Sequence, residues 1–294
     1  MSGFETSRPK RLRIAWLPDG KRLRLQDGPV DLVIQGFGRP GDIGRAYDAA
    51  IARTRGLLDE LYSELEFLCL PAPQSLEGRV AQRMNAAVVP FCAHNVITPM
   101  AAIAGAVADD VLAAMREAAP MERVFVNNGG DIALCLAPGQ TFTVSGGELA
   151  HWPMLLGTVH IRADSETRGI ATSGWTGDRF SRGIADEVTV TAANAAIADA
   201  AATIIANAVD LPGHPAIQRV PASALRAEDE GGEWMVTAQV GPLSAAEQLL
   251  ALEAGAQVAR TLCQDGLICG AALRVKGEVA VVHADQDRAE HFLV

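Results

Sequence analysis

Apolar and polar positions along Arg11 to Leu17 and Arg22 to Gln26 flank Asp19-Gly20, a pattern that predicts a β-hairpin. Pro29 to Gln35 reads as a third strand and Gly36 to Gly41 as a loop. With Asp42 as N-cap, a helical pattern runs to about Leu70, where Pro71 and Pro73 end it. Leu76 to Asn95 carries no clear period. Thr98-Pro99 is a helix start, a hydroxyl cap before a first-turn proline, and the helix continues through Met115 and stops before Pro120. Arg123 to Asn127 and Asp131 to Leu136 read as strands around a turn at Asn128-Gly129-Gly130, and strands around Phe142 and Val159 follow. Glu166 to Arg182 is rich in turn residues. The strand Val188 to Ala192 leads into a helix over roughly Asn194 to Val209. Trp234 to Val240 is strand-like, Ser244 to Glu247 forms a capping box for a helix ending before Gly266, and Leu267 to Val275 with Glu278 to His283 forms a hairpin around Lys276-Gly277. The acidic Glu228 to Gly232 reads as a surface loop.

Strands come mostly in adjacent pairs, with helices in two sets between them. That order favours an α+β fold with antiparallel sheet over a doubly wound parallel one. Two helix pairs separated by strands point to a duplicated unit, although no sequence repeat is evident. No low-complexity linker divides residues 1–294, so one domain is expected.

Composition narrows the chemistry. The chain has 294 residues, 49% hydrophobic and 20% charged, enough for a full core. A net charge of -10 and a pI of about 5.1 argue against a nucleic-acid binder. Five cysteines with no CxxC pair, and scattered histidines, predict neither a disulfide framework nor a zinc site. The basic N-terminal segment, Arg8 to Arg24, has no apolar h-region after it. The apolar stretch Met100 to Met115 is broken by Asp109 and Asp110. A protein without a membrane span, located in the cytoplasm, is therefore expected.

Four segments can carry chemistry. In Ala198 to Thr203 a carboxylate and a hydroxyl, Asp199 and Thr203, lie four residues apart on one helix face among alanines. Hard oxygens at that spacing suit magnesium; taken on the helix alone, a small-residue helix packed on a sheet is the better explanation. Pro99 to Ala106 puts small residues at a helix start, where free N–H groups favour phosphate or the helix simply packs closely. Asn127 to Asp131 is either a glycine turn that lets a ligand approach the backbone or a plain hairpin turn. Gly169 to Gly174, followed by Gly177 to Gly183, gathers hydroxyls, glycines and arginines that would cradle phosphates or form a polar loop.

Taken in order, these segments resemble the ApbE-like superfamily, whose best-known members are FAD:protein FMN transferases. The similarity is greatest to a stand-alone cytoplasmic branch of uncharacterised proteins. The motifs run Pro99 to Ala106, Val126 to Ile132, Thr172 to Asp186 and Ala198 to Thr203. The resemblance implies tandem T-fold-like units, antiparallel sheets packed with helix pairs, in a single domain of two intertwined halves. It also implies a site for FAD or FMN with magnesium. Asp199 and Thr203 would be metal ligands, joined by a backbone carbonyl near Ala104 to Ala106. Met100, Ala101, Gly105, Asn127, Asn128, Gly129, Gly130, Asp131, Thr172, Ser173 and Gly174 would line the cofactor, and Asp131 or Asp186 would act as base. A homodimer is expected, since sheet edges in such folds commonly pair.

Two departures from the family pattern weigh against transfer chemistry. Ala104 stands where the transferases have a lysine, and Ser181 to Asp186 lacks their histidine and proline. Two functions follow. The first is magnesium-dependent cleavage of FAD or transfer of FMN. The alternative is a non-transferase flavin- or pterin-binding enzyme or accessory protein in sulfur assimilation or one-carbon cofactor metabolism.

Overall fold

The computed structural model describes residues 12–145, 158–176, 180–225, 234–284 and 292–293. The loop read at Glu228 to Gly232, the N-terminal part of the basic segment and the start of Gly177 to Gly183 lie outside these. In chain order the first half contains β1 (Arg13–Trp16), β2 (Leu23–Asp27), β3 (Val30–Phe37), α1 (Pro40–Thr54), α2 (Leu57–Ser63), α3 (Leu65–Leu68), α4 (Arg79–Val88), α5 (Ile103–Ala118), β4 (Arg123–Asn128) and β5 (Asp131–Leu136). Then come β6 (Thr141–Ser145), β7 (Thr158–Arg162), β8 (Gly169–Ser173), β9 (Glu187–Ala192), α6 (Ala195–Ala208), β10 (Ile217–Pro221), β11 (Met235–Val240), α7 (Ala245–Gln264), β12 (Gly270–Val275), β13 (Glu278–His283) and β14 (Phe292–Leu293).

Nine strands form one antiparallel sheet in the order β1-β2-β3-β4-β5-β8-β9-β12-β13. The α+β reading with antiparallel sheet and packed helices is thus borne out. Strand alternation explains the layering. In β4, Val124 and Val126 point to the helical core, while Phe125 points to a second core shared with Val144, Val159 and Ile161 of β6 and β7. One face of the sheet therefore carries α1, α5, α6 and α7, each packed on the next. The other face carries the small sheet β14-β7-β6.

Both halves of the large sheet follow one order. The hairpin β2-β3, then helices, then the hairpin β4-β5 is followed by β8-β9, helices and β12-β13. They meet at β5-β8 through only two residue pairs, Ile132 with Ile170 and Ala133 with Gly169.

Several local expectations shift. The helix expected to run to Leu70 breaks at Gly56, which adopts a left-handed φ of 77°, and α1 starts at Pro40 with Asp42 in its first turn. Thr98 makes no side-chain cap; Pro99–Ala102 is a 3₁₀ turn leading into α5. The turn-rich Glu166 to Arg182 contains β8, a central strand, and the unassigned Leu76 to Asn95 contains α4. The Ser244 capping box is present, with Glu247 accepting in return. No disulfide joins the five cysteines, of which Cys69 is exposed and the others half-buried.

Candidate functional site

The turn between β4 and β5 sits at one end of the sheet. The end of β8 and the start of β9 lie at that same end, because Ser173 pairs with Val188 and Glu187 with Arg274. Gly129 and Gly130 have φ of 61° and 108°, so this two-residue turn needs glycine. Asn127 Oδ1 accepts from the Gly130 amide at 2.8 Å and fixes the turn. Its Nδ2 is buried and has no partner among the described residues. Asn128 points to the helices, donating from Nδ2 to the Ala104 carbonyl at 3.2 Å. Asp131, fully buried, accepts from the Thr172 amide at 3.2 Å and so ties β5 to β8 beyond their short ladder.

Thr172 and Ser173 face opposite ways. The Thr172 hydroxyl lies 3.4 Å from that of Thr189, on the face away from the helices. Ser173 alternates with it and is buried on the helical side with Ala171. Gly174 closes on β9's approach: a Cβ there would stand 2.5 Å from the Asp186 carbonyl. Asp186 itself has both oxygens engaged, Oδ1 by the Trp175 indole at 3.1 Å and Oδ2 by the Lys276 amide.

Asp199 is the centre of the helical side. It is 2% exposed, and its Oδ2 accepts from the amides of Ala104 and Gly105, each at 3.1 Å. These are orphan donors of the first turn of α5, so the carboxylate from α6 caps a neighbouring helix. Gly105 permits the approach, since a Cβ there would stand 2.2 Å from the Ala195 carbonyl. Asp199 and Thr203, one turn along α6, are the side chains of the expected metal set; of the backbone carbonyls expected near Ala104 to Ala106, that of Ala104 already accepts from Asn128. Met100 and Ala101 precede this turn, partly buried against the core. Among the described residues no three His, Cys, Asp or Glu side chains cluster as a metal site.

The reciprocal of this cap carries no motif in the sequence. Asp109 of α5 accepts from the amides of Ala195 (3.1 Å) and Ala196 (2.9 Å), the first turn of α6. Asn194 completes that terminus, accepting from Ile197 at 2.8 Å. Burial pushes the Asp109 carboxyl up to about 6, against the opposing pull of those two amides. Its neighbour Asp110, fully buried, is neutralised by Arg53, Arg79 and Arg83. The only sequence signal for either was an acidic pair inside an alanine-rich helix.

An antiparallel sheet under a helical layer, with the Asp199 carboxylate of α6 and the glycine turn meeting at the start of α5, defines the class: an α+β protein with a candidate ligand site at one sheet end. Residues 14–281 match the family described as AbpE bacteria, and the chain belongs to that family. The resemblance to the ApbE-like superfamily is thereby borne out. The UPF0280 protein of Methanopyrus kandleri is 37% identical over 136 residues, 46% of this chain and 52% of the relative. That of Methanoregula boonei is 32% identical over 152 residues, 51% of this chain and 61% of the relative. The chain thus spans little more than half the length of these curated relatives. Among solved structures, a mutant of the flavin transferase ApbE from Vibrio cholerae is similar over 95% of this chain and 98% of its own, with a TM-score of 0.46 and 13% identity. The apo form of the Pseudomonas stutzeri flavinyl transferase ApbE covers 94% and 96%, with a TM-score of 0.45 and 11% identity. No helix of the described residues is long and apolar enough to cross a membrane.

Proposed function

We propose that this protein binds a flavin nucleotide with magnesium at the sheet end formed by the Asn127 to Asp131 turn, and that it cleaves the FAD pyrophosphate. The observation that carries this reading is the buried Asp199 carboxylate at the start of α5, held by the Ala104 and Gly105 amides, with Thr203 one turn on along α6. Carboxylate and hydroxyl oxygens fit a hard cation that keeps its other positions for water and phosphate. Asn127 Nδ2, buried beside the glycine turn and without a partner among the described residues, would gain an acceptor from a ligand oxygen. The names of the solved relatives, flavin transferases, agree with a flavin substrate. We further read the two repeated half-sheets as two T-fold-like halves of one domain.

When bound, magnesium would neutralise pyrophosphate charge and act as a Lewis acid. The residues of the chain would do the rest. Asn128 and the Gly129-Gly130 turn would orient the nucleotide, and Ser173 would face it from β8. Asp131 would accept the proton of the attacking water as the P–O–P bond breaks to give FMN and AMP. Asp186, the other candidate base, has its oxygens engaged by the Trp175 indole and the Lys276 amide. Transfer of FMN to a protein hydroxyl is less well supported, because Ala104 replaces the lysine and Ser181 to Asp186 lacks the histidine of the transferases. That absence favours a second reading, a flavin- or pterin-binding protein without turnover. Purified protein incubated with FAD and magnesium is expected to release FMN and AMP, resolved by chromatography, and Thr203→Val is expected to slow release at least tenfold. Tight FAD binding with no product would leave the second reading. Neither binding nor product would remove both.

A further inference from the structure

A cavity of about 610 Å³ opens at the opposite end of the sheet, where β5 ends and α6 begins. Its walls come from α4, the second half of α5, the end of β5, the residue before β8 and the first turn of α6. None of the residues assigned above to flavin or metal lines it. Its size lies within the few hundred to ~1,000 Å³ typical of small-molecule sites.

Charge and apolar surface both line it. Arg83, Arg116 and Arg168 contribute three guanidinium groups, against a single lining carboxylate, Asp109. That carboxylate is turned to the Ala195 and Ala196 amides with both oxygens, and of the three arginines Arg83 acts on it by its charge. Arg83 is steered by Asp110, to which its Nε donates at 3.2 Å. Arg168 is fixed by backbone: it donates to the carbonyls of Ser165 at 2.9 Å and Ala163 at 2.7 Å. Neither contact neutralises it, and among the described residues Arg116 and Arg168 form no ion pair. A positive cavity in a chain of net charge -10 is a selective feature. Leu112 and Ile197 add apolar lining.

We propose that this cavity binds a small organic acid, its carboxylate or phosphate on the arginines and its apolar body on the leucine and isoleucine lining, at a site separate from the flavin-nucleotide site. A planar guanidinium matches both acid groups in a bidentate manner. The volume leaves room for an organic body beyond the acid group alone.

Isothermal titration calorimetry on the full chain tests this with four probes: phenyl phosphate, benzoate, inorganic phosphate and benzyl alcohol. At least one of the two aromatic acids is expected to bind with one-to-one stoichiometry, and which one identifies the acid group preferred. Inorganic phosphate and benzyl alcohol, each carrying half of the recognised chemistry, are expected to bind at least tenfold more weakly. Arg116 is exposed, so Arg116→Glu is expected to fold normally by circular dichroism and to weaken the aromatic acid at least tenfold. Ala113→Leu fills the cavity without changing charge and is expected to weaken it too. Thr203→Val is expected to leave this binding intact while impairing the flavin site. The proposal is overturned if neither aromatic acid binds saturably, if binding survives Arg116→Glu, if inorganic phosphate alone binds as tightly, or if Thr203→Val abolishes binding.

Discussion

Two aspartates on neighbouring helices each cap the other helix's start, and their environments set different expectations for each. The Asp109 carboxyl is held at about 6, above the ordinary aspartate value, chiefly by burial. A folded protein that holds this proton more tightly than the unfolded chain loses stability as pH rises from about 4 to 6. Below that window the contribution is fully present; above it, it is gone. A shift of that size corresponds to about 1–3 kcal/mol. Replacing Asp109 with Asn keeps an acceptor for α6 and removes the titration. Urea denaturation of the wild type and Asp109→Asn is therefore expected to show the variant gaining on the wild type between pH 4 and 6. Parallel pH profiles would exclude the effect. Asp199 shows why Thr203 is the better probe of the proposed metal set. Asp199→Ala strands the Ala104 and Gly105 amides, which costs about 1–3 kcal/mol before any ligand is considered. The Asp199–Thr203 pair was legible in the sequence because both residues sit on one helix at a fixed spacing. Asp109 was not, because the amides it meets are 86 and 87 positions away in the chain.

At the level of elements, the α5–α6 crossing depends on the absence of side chains. A Cβ on Gly105 would meet backbone atoms of α6, the Ala195 carbonyl at 2.2 Å and the Ala196 amide at 2.7 Å. Backbone on a packed helix cannot yield as a flexible side chain would. Gly105→Ala is thus expected to force the helices apart and to cost about 3 kcal/mol, the upper part of the range for overpacking. Gly129, with a φ of 61° and open space around its Cβ position, sets the comparison. Gly129→Ala is expected to cost only the left-handed backbone penalty, roughly 1–2 kcal/mol. Thermal or chemical denaturation of the two variants ranks them, and equal losses would mean that the crossing is not limiting. Elements with local signals were readable in advance: α7 from the Ser244–Glu247 box, β12-β13 from Lys276-Gly277, and β4-β5 from the glycine turn. β8 was hidden because Gly169-Ile-Ala-Thr-Ser173 is short, buried between β5 and β9, and written in the residues of a turn. The start of α2 was hidden because one left-handed glycine, Gly56, interrupts an otherwise continuous helical pattern.

Across the whole molecule, one helix connects the two ends of the sheet. The first turn of α6, with Asn194 and Ile197, lines the arginine cavity, while Thr203 lies two turns further on, roughly 12 Å along the axis at 1.5 Å per residue. Sites that far apart with no shared residue usually act additively, within about 0.5 kcal/mol. Here the crosswise caps give a physical route for departure, because a shift of α6 along α5 loosens the Asp109 and Asp199 caps together. A ligand that binds only the folded state at a hundredfold excess over its Kd stabilises it by about 2.7 kcal/mol. FAD with magnesium is therefore expected to raise the melting temperature by several degrees, and the aromatic acid to do the same by itself. Chelation by EDTA, or Thr203→Val, is expected to remove the metal-dependent part of the first shift and none of the second. With both ligands present, rigid and independent ends predict a stabilisation equal to the sum. A sum exceeded by 1 kcal/mol or more would place coupling in the α5–α6 crossing, and Asp109→Asn, which weakens one cap without touching any flavin contact, is expected to return it to additivity.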